Sequence, residues 1–196
     1  MKRYDEELVI YDKLSNLEPR AETHQRKGWT LTLLGRLEDA VEAYDRAIAL
    51  DAKIADVWYT RGDALMKLNR LEEAISSFDN AIAVDASYVK PWRLKACALG
   101  QLGRYQNALE PLLQALFINA KVIEMLHALS VTYMRLGNAK EALIAANKVS
   151  VLTPTHEEVL LSLSSILLAT GDMSGAQEAA SQATKNNPDD ALNWSV

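Results

Sequence analysis

Apolar residues recur along this chain at helical spacing, in pairs of segments joined by a single Gly or Asn. Around Asn69 the pattern is Leu65 and Leu68 on one side and Leu71, Ile75, Phe78 and Ile82 on the other, a period near 3.6 that predicts two amphipathic helices. The pattern returns every 34 residues. Its turn column holds Gly35, Asn69, Gly103, Gly137 and Gly171, preceded in four copies by Leu34, Leu68, Leu102 and Leu136. Gly and Asn tolerate the left-handed backbone that closes a helix, so each marks a turn between two helices. One alanine column runs Ala40, Ala74, Ala108, Ala142, Ala176, and a second runs Ala47, Ala81, Ala115, Val149, Ala183. Alanine at a fixed place in each copy means that two helices pass too close for a larger side chain. The aromatic four residues on, Tyr44 or Phe78, fills the space beside it. Five ungapped copies therefore predict five helical hairpins, at 21–54, 55–88, 89–122, 123–156 and 157–190.

The segment from Trp58 to Asp85, with Trp58, Gly62, Leu65, Ala74, Phe78 and Ala81 at the motif's spacing, resembles a tetratricopeptide repeat, and the resemblance covers about 170 residues. It implies an all-α, right-handed α-solenoid. The copies also depart from the motif. Its closing proline stands only at Pro154 and Pro188, with Ala52, Ala86 and Ala120 in the first three copies. Copies four and five carry Ser130 and Ser164 for the small Gly and Ala146 and Ala180 for the aromatic, which predicts looser packing there.

The ends deviate from the period, as terminal repeats do. Tyr4, Leu8, Tyr11 and Leu14 share a helical face, so residues 1–20 read as a flanking helix that caps the first copy. Residues 191–196 restart the pattern, with Trp194 where Trp58 and Trp92 sit, and read as the start of a truncated sixth repeat. Within Val159 to Ala169, Leu161 and Leu168 fall opposite Leu160 and Leu167, so that helix is apolar on two sides and needs cover on both.

The resemblance further implies that first helices line a concave groove. The groove positions then include Trp29, Tyr59, Asp63, Met66, Lys90, Arg93, Cys97, His127 and Met134, a mixture rich in the aromatic, Met and Arg side chains that dominate protein-binding hot spots. Gly100 would let a ligand backbone come close. Many such proteins grip a chaperone's terminal carboxylate with a clamp of Lys, Asn and Arg. The corresponding positions here are Gln25, Trp29, Thr60, Lys90 and Leu94, of which only Lys90 fits.

Composition narrows the chemistry. A single cysteine, Cys97, cannot form an internal disulfide, and His24, His127 and His156 approach no paired zinc spacing, so no metal or cofactor is expected. Charges interrupt the N-terminal segment, and no window is long and apolar enough for a membrane span, which predicts a cytoplasmic protein in a reducing compartment. The 21 basic and 26 acidic residues are interspersed without a basic block, which argues against nucleic acid. Residues 1–98 hold 32 charges and residues 99–196 only 15, so the second half should expose a drier surface. Cys97 and His127 fall in adjacent copies, yet no residue orients the His and no glycine loop accompanies them. Pro91 opens a first helix, whereas Pro111 falls inside a second one and should bend it or remove a backbone bond. The expected function is a non-catalytic adaptor that holds a partner's peptide or helix in the groove. The alternative is a module that self-associates, or belongs to a larger assembly, through the apolar C-terminal end with Leu161, Leu168 and Trp194.

Overall fold

The computed structural model describes residues 2–119, 123–153 and 157–186, and every regular element among them is an α-helix. Helix α1 spans Lys2–Leu17. Five helix pairs follow: α2 Ala21–Leu33 with α3 Leu37–Leu50, α4 Ala55–Lys67 with α5 Leu71–Val84, α6 Val89–Gln101 with α7 Tyr105–Ile118, α8 Ile123–Arg135 with α9 Ala139–Leu152, and α10 Glu157–Thr170 with α11 Met173–Asn186. The first helix of each pair begins 34 residues after the last. Of the sequence features noted above, Ala120, Pro154, His156, Pro188 and the 191–196 segment with Trp194 lie outside the described residues.

The chain divides into two compact units, Met1–Gly103 and Arg104–Val196. The 34-residue pattern predicts no such division, and it falls inside the third pair. Unit one holds α1 to α6, and unit two holds α7 to α11.

The turns follow the chemistry of the turn column. Gly35, Gly103, Gly137 and Gly171 have φ of 73°, 71°, 77° and 86°, and Asn69 has 59°. After α2 the Arg36 N–H donates to the Leu31 carbonyl and the Gly35 N–H to that of Thr32. The same pair of bonds closes α4, α8 and α10, a Schellman stop that satisfies carbonyls a helix end would leave bare.

In unit one the core follows the small residues. Ala40, Ala47, Ala74 and Ala81 have no solvent exposure. The Tyr44 and Phe78 rings lie against Gly28 and Gly62, where a Cβ would stand 2.6 Å and 2.5 Å from the ring. Trp58 and Trp92 play structural parts, their indole N–H groups donating to the carbonyls of Ala52 and Ala86 at 2.9 and 3.0 Å. A ladder of ion pairs ties each first helix to the preceding element: Lys27 to Asp12, Arg61 to Asp45 and Lys95 to Asp79, at 2.5 to 2.6 Å.

Unit two is built from the same columns with other chemistry. Ala108, Ala142 and Ala176 are buried, and Leu129 and Leu163 occupy the column that carries the ladder's cations in unit one. The two copies for which looser packing is expected fill these positions with small residues. Ser130 and Ala146 are buried, and the Ser164 hydroxyl donates to the Ala176 carbonyl at 2.8 Å, replacing ring packing with a bond across the hairpin. Pro111 sits buried within α7, which continues through it. The proline offers no N–H to the carbonyl of Asn107, so one rung is absent.

Candidate functional site

In unit one, α2, α4 and α6 form an inner wall. Residues 22, 25 and 29 of α2, residues 56, 59 and 60 of α4 and Lys90 of α6 line a cleft of about 450 Å³ there. Its apolar floor comes from helical spacing. Trp29 projects from α2 with 60% of its surface exposed. Tyr59 is half-buried and packs on the core of unit one. Its ring centroid lies 5.3 Å from that of Tyr88 and 6.5 Å from that of Phe78. Met66, a sequence candidate for the groove, is partly used by the same core.

The polar groups are organised around Asp56. Its carboxylate accepts from the Gln25 amide at 2.7 Å and from the Tyr88 hydroxyl at 2.9 Å. Burial and that carboxylate push the Tyr88 phenol far up, so it stays protonated and acts as a donor. Asp63 pairs with Lys67 at 2.7 Å and Glu22 with Arg26 at 2.7 Å. The Lys90 ammonium stands 5.6 Å from the Tyr59 ring centroid, a cation–π distance. Arg93 lies near enough to pull down the Tyr59 phenol and the Cys97 thiol, although burial raises both and wins at each. A half-buried thiol held protonated is a poor nucleophile.

The remaining candidates lie in unit two. His127 is half-buried on α8, where its carbonyl accepts the Ser130 hydroxyl at 2.8 Å. Met134 packs partly against the core formed with α9 to α11. Leu161 and Leu168 are 46% and 51% exposed on α10, whereas Leu160 is buried, which fits the two-sided pattern in the sequence. Unit two also carries an outer apolar cleft of about 520 Å³, with Leu116, Leu126, Val151 and Leu152 in its wall.

Sequence reasoning missed Tyr88 and that outer cleft. Tyr88 falls just before α6, in the column occupied by Ile54 one copy earlier, and an aromatic in a helix-entry column was the available signal. The exposed Leu113, Phe117, Ile144 and Val151 of α7 and α9 could have been found as apolar residues at outward positions of second helices. Among the described residues no group of His, Cys, Asp and Glu is placed to hold a metal, and no helix is long and apolar enough to cross a membrane.

Residues 28–69 match the family model described as TPR repeat, and residues 55–88 match the model described as tetratricopeptide repeat. No curated protein sequence matches the chain. Solved structures do resemble it. YrrB, titled a TPR protein with an unusual peptide-binding site, aligns with a TM-score of 0.81 at 21% identity, over 93% of this chain and 94% of that one. MamA from Desulfovibrio magneticus aligns with a TM-score of 0.80 at 16% identity, over 90% and 97%. A thermophilic TPR protein of Thermus thermophilus gives 0.62 at 20% identity, over 88% and 94%. At such identities the likeness concerns the fold alone.

Proposed function

The chain belongs to the tetratricopeptide-repeat family, a family of protein-interaction scaffolds, and we propose that it is a non-catalytic adaptor that holds a peptide or helix of a partner protein on its inner wall. The observation that carries this reading is Trp29, an indole left 60% exposed on a rigid helix beside Tyr59, in a cleft of about 450 Å³. Exposed aromatic anchors flanked by polar groups are how interfaces concentrate binding energy. YrrB, similar in fold, is by its title a protein with a peptide-binding site, which supports the reading. A cytoplasmic location belongs to the same proposal, with Cys97 as a reduced packing residue.

The test is affinity capture from native lysate with the wild type beside Trp29→Ala/Tyr59→Ala. The variant should lose specific partners while keeping its helical circular dichroism. Identical captured sets would overturn the reading. Self-association is a second reading, favoured by Leu161 and Leu168, which leave one side of α10 apolar and exposed. If it holds, light scattering at tens of micromolar finds a dimer that Leu161→Gln/Leu168→Gln dissolves.

A further inference from the structure

We propose that the inner wall of unit one selects a partner segment by an acidic side chain, held between Lys90 and Arg93, next to a large apolar side chain seated on Trp29. The proposal rests on the groove reading above and names the chemistry of its ligand.

The charge inventory of the wall decides the sign. Its carboxylates are already engaged: Glu22 with Arg26, Asp63 with Lys67, and Asp56 with the Gln25 amide and the Tyr88 hydroxyl. Arg26 and Lys67 are thereby used as well. Lys27, Arg61 and Lys95 of the same helices go to the ladder carboxylates. Among the described residues, Lys90 and Arg93 alone on this wall have no carboxylate within ion-pair distance. Lys90 lies over the Tyr59 ring instead. Asp56 keeps its charge, since the Gln25 amide and the Tyr88 hydroxyl are neutral, but its oxygens are taken, so a basic ligand residue would meet two unpaired cations against one unpaired carboxylate. An acidic one meets an ammonium and a forked guanidinium one helical turn apart.

A second observation points the same way. The second residue of each first helix is Glu22 in α2, Asp56 in α4, Lys90 in α6, Glu124 in α8 and Glu158 in α10. Carboxylates there complement the positive end of the helix dipole, and α6 is the copy in which the sign is inverted, leaving no acid in its first turn. A cation at that position works against its own helix. It adds to the positive potential at the helix start and makes this corner of the wall a seat for an anion, in a chain whose net charge is −5.

The ligand's charge comes from a side chain rather than a chain terminus. Where a terminal-carboxylate clamp would need amide or basic groups, Trp29 presents a ring, Leu94 is buried, and the Thr60 hydroxyl is bonded to its own helix at the Asp56 carbonyl, 2.8 Å away.

The experiment is selection from a random peptide library displayed with both ends blocked, on the wild type, on Trp29→Ala/Tyr59→Ala and on Lys90→Gln/Arg93→Gln. The wild type should enrich segments with Asp or Glu next to an aromatic or large aliphatic residue. The consensus peptide, synthesised with acetyl and amide ends, should bind the Lys90→Gln/Arg93→Gln protein about tenfold or more weakly, and should weaken with added salt. Enrichment of neutral or basic segments that depends on Trp29 and Tyr59 overturns the inference and leaves the groove reading standing. Absence of any enrichment that depends on Trp29 and Tyr59 overturns both.

Discussion

Replacing Gly62 with Ala probes the closest approach in unit one. A Cβ at this position falls 2.5, 2.8 and 2.9 Å from Cε1, Cδ1 and Cζ of Phe78. Ordinary carbon contacts lie at about 3.5–4.0 Å, so the ring must retreat by about 1 Å. It has little room to do so, since Phe78 has no solvent exposure and packs with Val57, Leu65 and Ala74 in one cluster. Overpacking a core costs about 1–3 kcal/mol, and an enclosed ring belongs at the upper end, while Ala for Gly inside a helix returns about 1 kcal/mol. The expected net loss is about 2 kcal/mol, a fall in Tm of about 4–8 °C for a chain of this length. Urea titration followed by far-ultraviolet circular dichroism measures it. The cycle is completed with Phe78→Leu, because the third copy carries Ala96 and Leu112 in these two columns. In the Gly62→Ala background the smaller side chain should recover most of the loss, giving a coupling of about 1–2 kcal/mol. A neutral or stabilising Gly62→Ala, or additivity in the cycle, would refute the argument that Gly62 is there to admit the ring.

Gly100 supplies the opposite case. Nothing lies within 4 Å of the Cβ it lacks, so Gly100→Ala should stabilise α6 by about 0.5–1 kcal/mol, read as a higher urea midpoint; a loss would show that this face is not open. His24 predicts a pH dependence. Its ring is buried with Nδ1 unpartnered, and burial first, then Arg46 and Lys27, lower its affinity for a proton. The unfolded chain therefore binds that proton more readily, and stability should be intact at about pH 7.5 and fall as pH drops through the ordinary imidazole range towards about 5.5. His24→Leu should flatten the dependence, and an unchanged slope of denaturation midpoint against pH would remove His24 as its source.

The repeat was legible because its punctuation depends on single residue types. A helix that stops in a left-handed residue calls for Gly or Asn, and Gly35, Asn69, Gly103, Gly137 and Gly171 all adopt it. Close helix crossings call for Ala, and those columns are buried. The wall positions of Trp29, Tyr59, Lys90 and Arg93 came from the family resemblance. Which of its charges are free did not, because pairing is decided across helices. Lys67 stands four residues from Asp63 and can be read along one helix, whereas Gln25 and Tyr88 reach Asp56 from 31 and 32 residues away. The boundary at Gly103 was illegible for a related reason: the period runs through it without a gap, and a change in packing leaves no mark on a period.

Part of the uneven charge density, 32 charged residues in the first half against 15 in the second, has a structural cause in the ladder, which holds six of the 32. Lys27, Arg61 and Lys95 stand 34 residues apart, each with about four-fifths of its side chain out of solvent and each meeting a carboxylate about half exposed. Arg61 adds a bond to the Ser77 hydroxyl at 2.7 Å. A long side chain whose stem is covered while its head reaches a rim carboxylate contributes as much by packing as by charge. Its replacement by Leu129 and Leu163 therefore keeps the buried stem and discards the head. Once the head is gone the carboxylate opposite has no partner, and the column of Asp45 and Asp79 continues as Leu113 and Asn147. Leu113 is left nearly half exposed. Helix-to-helix packing can thus be maintained in both units by one geometry, while only unit two acquires an apolar outer face. In this pair of columns the charged ladder and the apolar residues are alternative fillings of one geometry, and the inner wall, whose charges come from other columns, is free to follow its ligand.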